Sequence, residues 1–432
     1  MNIECPLVAS FAVGLALVIG CVRRSGAERV LAATSFAAFD AAARAGERLT
    51  VAFFGASLTW GANATDHART SYRARVAEKL EARYPEARFT FIDGAIGGTG
   101  SDLGVFRLQR DCLAYMPDLV FLDFSANDDI YSDVPEKLAS YESLVRRIIT
   151  ESQCPVVPVI FPFQWNATPG TAEDMKGRLA HLKIAEAYGA PVGDAIVHVQ
   201  NLVAEDTEIV ARIWTIDGVH PGDYGYQLFA DAAWQGFEAG VGEQMSCHAP
   251  ETMLHGDTFM TWSRNRISAL KELPGGWKPG LVSRVSAWYD AYMPRWLDDV
   301  VIAANTNTGK DENSDHVTTP LNVEPLVVNF KACTVMLFGE ATLKSGQFKV
   351  FLDGKHVPCP QGKETLDLFD LSSKRFGGNT HFNAVMAAGL DLDTVHELKL
   401  VPVFAKGEEQ ELRLESICLA GGEARITAER SR

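Results

Sequence analysis

The chain has 432 residues, 47% of them hydrophobic and 22% charged, with a formal net charge of −15. That length and balance fit two globular domains, each able to bury a core, and exclude a disordered chain. An acidic chain without clustered Lys and Arg is ill suited to phosphate backbones, so no nucleic-acid partner is expected.

No residue from Pro6 to Val22 is charged. Residues 1–22 therefore read as a signal peptide or membrane anchor. Val18-Ile19-Gly20-Cys21 resembles a bacterial lipoprotein processing box, which would make Cys21 the lipidated first residue of the mature chain. Arg23 and Arg24 follow the run, an order that favours an uncleaved anchor. The expected location is exported, in the periplasm or outside the cell. Residues 23–47 are Ala-rich and read as a linker. The six cysteines beyond the leader are dispersed, with no C-x-x-C pair, and read as small buried hydrophobes rather than zinc ligands.

A repeating pattern follows. Leu49–Phe54 (LTVAFF) is a buried-strand run, and Ser71–Tyr84 has helical spacing with Ser71 as N-cap and Pro85 beyond its end. Arg88–Asp93 reads as a strand, Ser101–Tyr115 as a helix, Leu119–Phe124 as a strand and Val134–Ser152 as a helix. Pro155–Phe161 reads as a strand, Thr171–Tyr188 as a helix, Ala190–Ile196 as a fifth strand and Pro221–Glu238 as a last helix. Apolar strands separated by helices predict parallel βαβ units in a doubly wound α/β sandwich over residues 48–245, with ligands bound beyond the carboxyl ends of the strands. Residues 246–320 are less regular and read as a connecting region. Residues 321–424 carry short alternating runs: Leu326–Phe338, Gly346–Val357 with a hairpin turn at Asp353-Gly354, Val395–Phe404 and Glu411–Leu419. They predict a β-sandwich-like accessory domain, and residues 425–432 read as a polar tail.

The chemistry-bearing residues fall at the ends of the predicted strands. The first strand runs into Gly55-Ala56-Ser57-Leu58, where small neighbours leave the Ser57 hydroxyl open to a substrate. The second ends in Asp93-Gly94-Ala95-Ile96-Gly97-Gly98-Thr99-Gly100, suited to close backbone approach. This loop lacks the G-x-G-x-x-G and Gly-Lys-Ser/Thr patterns of nucleotide sites. The third ends in Ser125-Ala126-Asn127-Asp128. Near the end of the domain, Asp217-Gly218-Val219-His220 places a carboxylate and an imidazole three residues apart, so that the Asp can orient the ring and leave its other nitrogen free as a base. No metal or cofactor set accompanies them. Two sequons, Asn63-Ala64-Thr65 and Asn166-Ala167-Thr168, matter only in a eukaryotic secretory pathway. Gln164, Trp165 and Asn166 follow the fourth strand and either line a pocket or pack.

In this order, Ser57, Gly98, Asn127 and the Asp217/His220 pair resemble the four blocks of the SGNH hydrolase superfamily, also called GDSL esterases, over residues 48–240. Ile96–Ser101 and Val105-Phe106-Arg107-Leu108 look like a bacterial esterase branch. Ala56 stands where the family usually has Asp, and Ser125 where it has Gly; the lost Asp affects how the nucleophile loop is held. The resemblance implies a flavodoxin-like three-layer α/β/α fold. Ser57 would be the nucleophile, His220 its base and Asp217 the orienting acid. The N–H groups of Ser57 and Gly98 and the Asn127 side chain would form the oxyanion hole, with no cofactor. The expected substrate is an acyl ester, foremost acetyl, on an extracellular carbohydrate. The alternatives are a lipase-like or aryl esterase, an acyltransferase on the same scaffold, or, in another class, a carbohydrate-binding or structural envelope lipoprotein.

Overall fold

The computed structural model describes residues 34–283, 297–310, 316–320, 322–361, 364–371 and 378–427. The leader, Cys21 and the last residues of the tail lie outside the described residues. Five strands, Arg48–Gly55 (β1), Arg88–Ala95 (β2), Leu119–Leu122 (β3), Val156–Ile160 (β4) and Gly193–Asp194 (β5), form a parallel sheet in the order β2-β1-β3-β4-β5. The chain order reverses between β1 and β3, and a crevice for ligands is expected outside the carboxyl ends there. The helices are Phe36–Arg44 (α1), Ser57–Trp60 (α2), Tyr72–Arg83 (α3), Ser101–Asp111 (α4), Pro135–Arg147 (α5), Lys176–Ala187 (α6), Ala195–Glu205 (α7), Ile209–Ile213 (α8) and Asp223–Gly242 (α9). α4, α5 and α6 pack in sequence, while α1, α3 and α7 gather on α9. The two groups cover the two faces of the sheet, which is why β1 and β3 are apolar along their length. Phe53 and Phe121 stack across these strands with ring centroids 5.1 Å apart.

The predicted doubly wound sandwich is present, with local differences. Only Gly193-Asp194 of the predicted fifth strand pairs. The Asp194 carboxylate accepts from the N–H groups of Ile196 and Val197 and starts α7, so Ala195 and Ile196 of the predicted strand belong to a helix, while residues 190–192 precede the strand as loop. The predicted linker 23–47 contains α1, capped by the Ser35 hydroxyl; Phe36 and Phe39 meet Phe237 edge-on at 6.2 and 5.8 Å. The helix predicted from Thr171 starts at Lys176, after a 3-10 turn at Ala172–Asp174.

The remaining strands form two antiparallel sheets and two short hairpins. One sheet holds Trp262–Arg266 (β6), Trp277–Gly280 (β7), Val300–Ala304 (β8), Thr334–Ala341 (β12), Thr380–Ala387 (β18) and Glu411–Ala420 (β20). The other holds Leu326–Lys331 (β11), Gln347–Leu352 (β13), Lys355–Val357 (β14), Phe369–Asp370 (β17), His396–Val403 (β19) and Arg425–Thr427 (β21). The hairpins pair Thr306–Lys310 (β9) with His316–Pro320 (β10), and Cys359–Gln361 (β15) with Glu364–Leu366 (β16). Asp353 and Gly354 both have positive φ, 51° and 78°, which suits the predicted tight turn between β13 and β14. The connecting region is itself part of the sheet, since it supplies β6, β7 and β8. Arg425–Thr427 of the predicted tail pairs with β11.

Strand alternation explains how the sheets attach. Val335 and Leu337 of β12, with Ile417 and Leu419 of β20, point into the core between the two β-sheets. Met336, Phe338, Cys418 and Ala420, on the opposite face of the same strands, join the core of the α/β half. Both strands are therefore buried on both sides, and the first sheet is shared between two cores. The described residues fall in one compact unit, Leu31–Arg432. The six cysteines among them are unpaired, and Cys112, Cys154, Cys247 and Cys418 are buried.

Candidate active site

β1 delivers Ser57. Any Cβ on Gly55 would lie 2.1 Å from Thr59 Oγ1 and 2.5 Å from the Asp123 carbonyl, so the turn from β1 into α2 requires glycine. Ser57 opens α2 and is 5% exposed. The loop after β2 lies beside it: the N–H of Ile96 donates to the Gly55 carbonyl at 3.2 Å, and Gly98 sits at a φ of +72°. The loop after β3 lies on the other side. The N–H of Asp123 donates to the Phe54 carbonyl at 2.9 Å, and Asn127 turns on the Phe124 carbonyl at 3.0 Å. The N–H of Ser101 donates to Asp128 at 2.8 Å, joining the two flanking loops. Gly98 and Asn127 are thus carried on the loops next to Ser57.

The fourth segment comes from the approach to α9. His220 Nε2 is 3.0 Å from Ser57 Oγ, and His220 Nδ1 is 3.4 Å from Asp217 Oδ2. The other Asp217 oxygen accepts the N–H groups of Val219 and His220 at 2.7 and 2.8 Å. The structure therefore joins Ser57, His220 and Asp217 in one hydrogen-bonded line. Partial burial alone would raise the Asp217 pKa. Hydrogen bonds from the His220 side chain and backbone and from Asn63 outweigh it and hold the carboxyl well below the usual range. Two further bonds tie the segment after Ser57 to α9: Thr65 Oγ1 donates to Asp223 at 2.6 Å, and the Tyr226 hydroxyl donates to the Ala62 carbonyl at 2.6 Å.

Some contributors have little or no mark in the sequence. Asn63, which the sequence presents only as a sequon, donates to Asp217 Oδ2 at 2.7 Å from a left-handed backbone with φ 68°. Arg107, buried under the site, donates to the carbonyls of Gly55 and Gly94 at 2.6 and 2.5 Å and to Thr99 Oγ1 at 3.3 Å. With Ala56 in place of the usual Asp, α2 is held from below instead. Thr59 Oγ1 donates to Asp123 Oδ2 at 3.0 Å and lies 3.5 Å from the Tyr72 hydroxyl. A lone carboxyl in the apolar run Leu119–Phe124 was the visible signal for Asp123.

Burial raises the Asp123 pKa to about 7. A carboxyl raised in the folded state contributes stability that is fully present below its unfolded pKa of about 4 and is lost as pH rises through about 7. Asp123→Asn keeps the acceptor for Thr59 and removes that titration. The difference in Tm between pH 5 and pH 8 is expected to shrink in the variant. An unchanged difference would show that Asp123 ionises as freely in the folded chain as in the unfolded one.

The rim of the site is aromatic. The N–H of Gln164 donates to the Gly218 carbonyl at 2.8 Å, beside Asp217. A Cβ on Gly218 would lie 3.4 Å from the Trp165 ring, and Trp165 is 55% exposed. Asn166 Nδ2 donates to the Tyr131 hydroxyl at 3.0 Å. Gln164 and Trp165 thus border the Asp217–His220 loop, whereas Asn166 is buried. His67 lies against the Trp60 ring at a tilt of 36°, and His181 stacks on Tyr141, both packing contacts. Among the described residues, no group of three or more His, Cys, Asp or Glu side chains converges as a metal site would require, and no helix is long and apolar enough to cross a membrane.

A serine, an imidazole and a carboxylate in hydrogen-bonded sequence, at the carboxyl edge of a doubly wound parallel sheet, define the class of α/β serine hydrolases. Residues 53–228 match the model of the GDSL-like lipase/acylhydrolase family. The α/β half belongs to that family, and the chain is a carboxylic ester hydrolase of the SGNH type. None of the curated proteins matches the chain. Among solved structures it is similar to a two-domain esterase active on acetylated mannans, co-crystallised with mannopentaose. Identity is 22%, 89% of this chain and 93% of that one are covered, and the TM-score is 0.66. A second structure of a two-domain esterase active on acetylated mannans gives 21%, 89%, 94% and 0.67. An acetylxylan esterase from Geobacillus stearothermophilus is 24% identical, with 44% of this chain and 94% of that one covered and a TM-score of 0.35. The likeness to the two-domain esterases extends over both halves of the fold.

Proposed function

We propose that the chain is an exported esterase that removes acetyl groups from a polysaccharide or its oligosaccharides. The observation that carries this reading is the line from Asp217 through His220 to Ser57, ending 3.0 Å from the serine oxygen. Ser57 attacks the ester carbonyl while His220 takes its proton, and Asp217 holds the ring in the tautomer that leaves Nε2 free as base. The oxyanion is received by the N–H groups of Ser57 and Gly98 and by the Asn127 side chain. His220 returns the proton to the leaving sugar hydroxyl, and water then cleaves the acyl-enzyme by the same route. The apolar leader at residues 1–22 supports export, with lipid attachment at Cys21 as one form of it.

Two features support a saccharide substrate. The two-domain esterases that share the architecture act on acetylated mannans. Trp165 presents a half-exposed ring beside the Asp217–His220 loop, the kind of apolar platform on which a sugar face stacks. Acetate release from acetylated mannooligosaccharides, compared with a small aryl acetate, tests the reading. Trp165→Ala is expected to raise KM for the oligosaccharide about 5- to 20-fold, the equivalent of about 1–2 kcal/mol of stacking, and to leave the aryl acetate's KM unchanged. Hydrolysis of the aryl acetate alone, or an equal effect of Trp165→Ala on both substrates, would rule out the saccharide assignment.

A further inference from the structure

The loop that carries Gly98 has a neighbour from the other half of the chain. β18 is the edge strand of its sheet, paired to β12 with His381 opposite Glu340. The His381 side chain is buried, and its imidazole is hydrogen-bonded to the backbone of Gly98. That bond favours the protonated ring, so a ring N–H donates and the Gly98 carbonyl accepts. Burial first, and the Arg107 charge second, lower the His381 pKa to about 4. The ring is therefore a neutral donor at the pH of ester hydrolysis.

The seat of this histidine is firm. Met336 and Phe338 of the adjacent strand β12 are part of the α/β core. The Phe106 ring on α4 meets Phe259 and Trp262 edge-on at 6.4 and 6.5 Å. The Arg147 guanidinium lies 4.5 Å from the centre of the Trp262 ring. α4 starts three residues after Gly98, so the sheet that bears His381 is packed on the helix that leaves the loop.

The loop needs such support. Gly98 has a φ of +72°, and a residue without Cβ holds no orientation by sterics. Thr99 Oγ1 donates to the Ile96 carbonyl at 2.7 Å and accepts from Arg107, which fixes the loop on either side of Gly98. The carbonyl of Gly98 is held from the β half. We propose that His381 is a positioning residue: by holding the Gly98 carbonyl it sets the backbone at Gly98 so that its N–H faces the oxyanion formed over Ser57. The second half of the chain would thereby complete the active site of the first. This inference rests on the acyl-transfer reading above, in which Gly98 is an oxyanion donor.

The test uses the full chain and a small aryl acetate, which is too short to need a saccharide platform. His381→Leu removes the donor and is expected to lower kcat about 10- to 100-fold, with KM within about two-fold. That split marks support given to the transition state and not to substrate binding. His381→Asn and His381→Gln each keep an amide N–H, at different reach, and at least one is expected to return kcat to within about five-fold of the parent. An unchanged kcat in folded His381→Leu overturns the proposal. So does a loss that neither amide restores, or a rise in KM alone. If His381→Leu does not fold, the two amide variants decide: at least one should keep kcat within about five-fold of the parent at a Tm close to the parent's, and a larger loss of kcat in both folded variants overturns the proposal. Failure of the underlying reading is separate, because it appears as activity retained when Ser57 itself is replaced.

Discussion

Replacing Ser57 by Ala is expected to lower kcat for an aryl acetate by a factor on the order of 10⁴ to 10⁶, with the fold intact. The change removes one oxygen at the mouth of the sheet and one hydrogen bond, to His220 Nε2 at 3.0 Å. It leaves the apolar contacts of α2, Leu58 and Trp60, in place, and Tm should move by no more than a few degrees. What remains is the catalysis that a donor-lined pocket gives to attack by water. His220→Ala should cost about as much, and the double variant hardly more, since the two groups act as one unit. Asp217→Asn keeps the geometry but donates where a carboxylate accepts; it favours the wrong imidazole tautomer and is expected to cost on the order of 10⁴. The checks are kcat on the folded variants and covalent labelling by a fluorophosphonate, which should disappear with Ser57 alone among the serines. Activity within ten-fold of the parent in folded Ser57→Ala would end the assignment of Ser57 as nucleophile.

The hydroxyl, imidazole and carboxylate that this prediction concerns were readable in the sequence because each follows a periodic signal. Ser57 follows an apolar strand, and Asp217 and His220 share one short loop before a helix predicted from Pro221 and formed from Asp223. What they lean on was not readable, and the reason is physical. Arg107 lies on α4 among apolar neighbours, and nothing in its spacing shows that its side chain crosses under two strand ends. Asn63 depends on a left-handed backbone that only the folded turn imposes. His381 lies 283 residues from Gly98, and no local pattern couples them. The same limit applies to the fold. β1 to β4 and the Asp353-Gly354 turn are local in origin and were legible. The fifth strand ends after two residues because one side chain, Asp194, caps a helix there. β6 and β8 looked like a connector because their partner β20 comes more than a hundred residues later, and β7 joins the sheet only through β8.

Arg107→Met is expected to destabilise the folded chain by about 3–5 kcal/mol and to reduce activity as well. The guanidinium is fully buried, 4.4 Å from the centre of the Phe54 ring, and its pKa is lowered by that burial to about 10. It remains a cation because its two terminal nitrogens are well paired: Asp111 lies 3.1 Å away, and the carbonyls of Gly55 and Gly94 and the hydroxyl of Thr99 take further N–H groups, while the buried Nε has no hydrogen-bond partner. Met fills the volume of the arginine stem and supplies none of these donors. Asp111 keeps Arg110 as partner at 2.5 Å and the Gly55 carbonyl keeps the Ile96 N–H at 3.2 Å, so the cost falls on the lost charge-assisted bonds to the two carbonyls and to Thr99, at about 1–1.5 kcal/mol each. Lys cannot substitute, since one ammonium does not span acceptors on two strand ends and a loop. Tm should fall on the order of 10 °C. Because Gly55 precedes the Ser57 turn and Thr99 follows Gly98, the surviving folded fraction should also show a lower kcat. Denaturant unfolding separates the two effects: m should stay constant while the midpoint falls. A loss below about 1 kcal/mol would mean that the carbonyls find other donors, and that the arginine is not what holds the strand ends in register beneath Ser57.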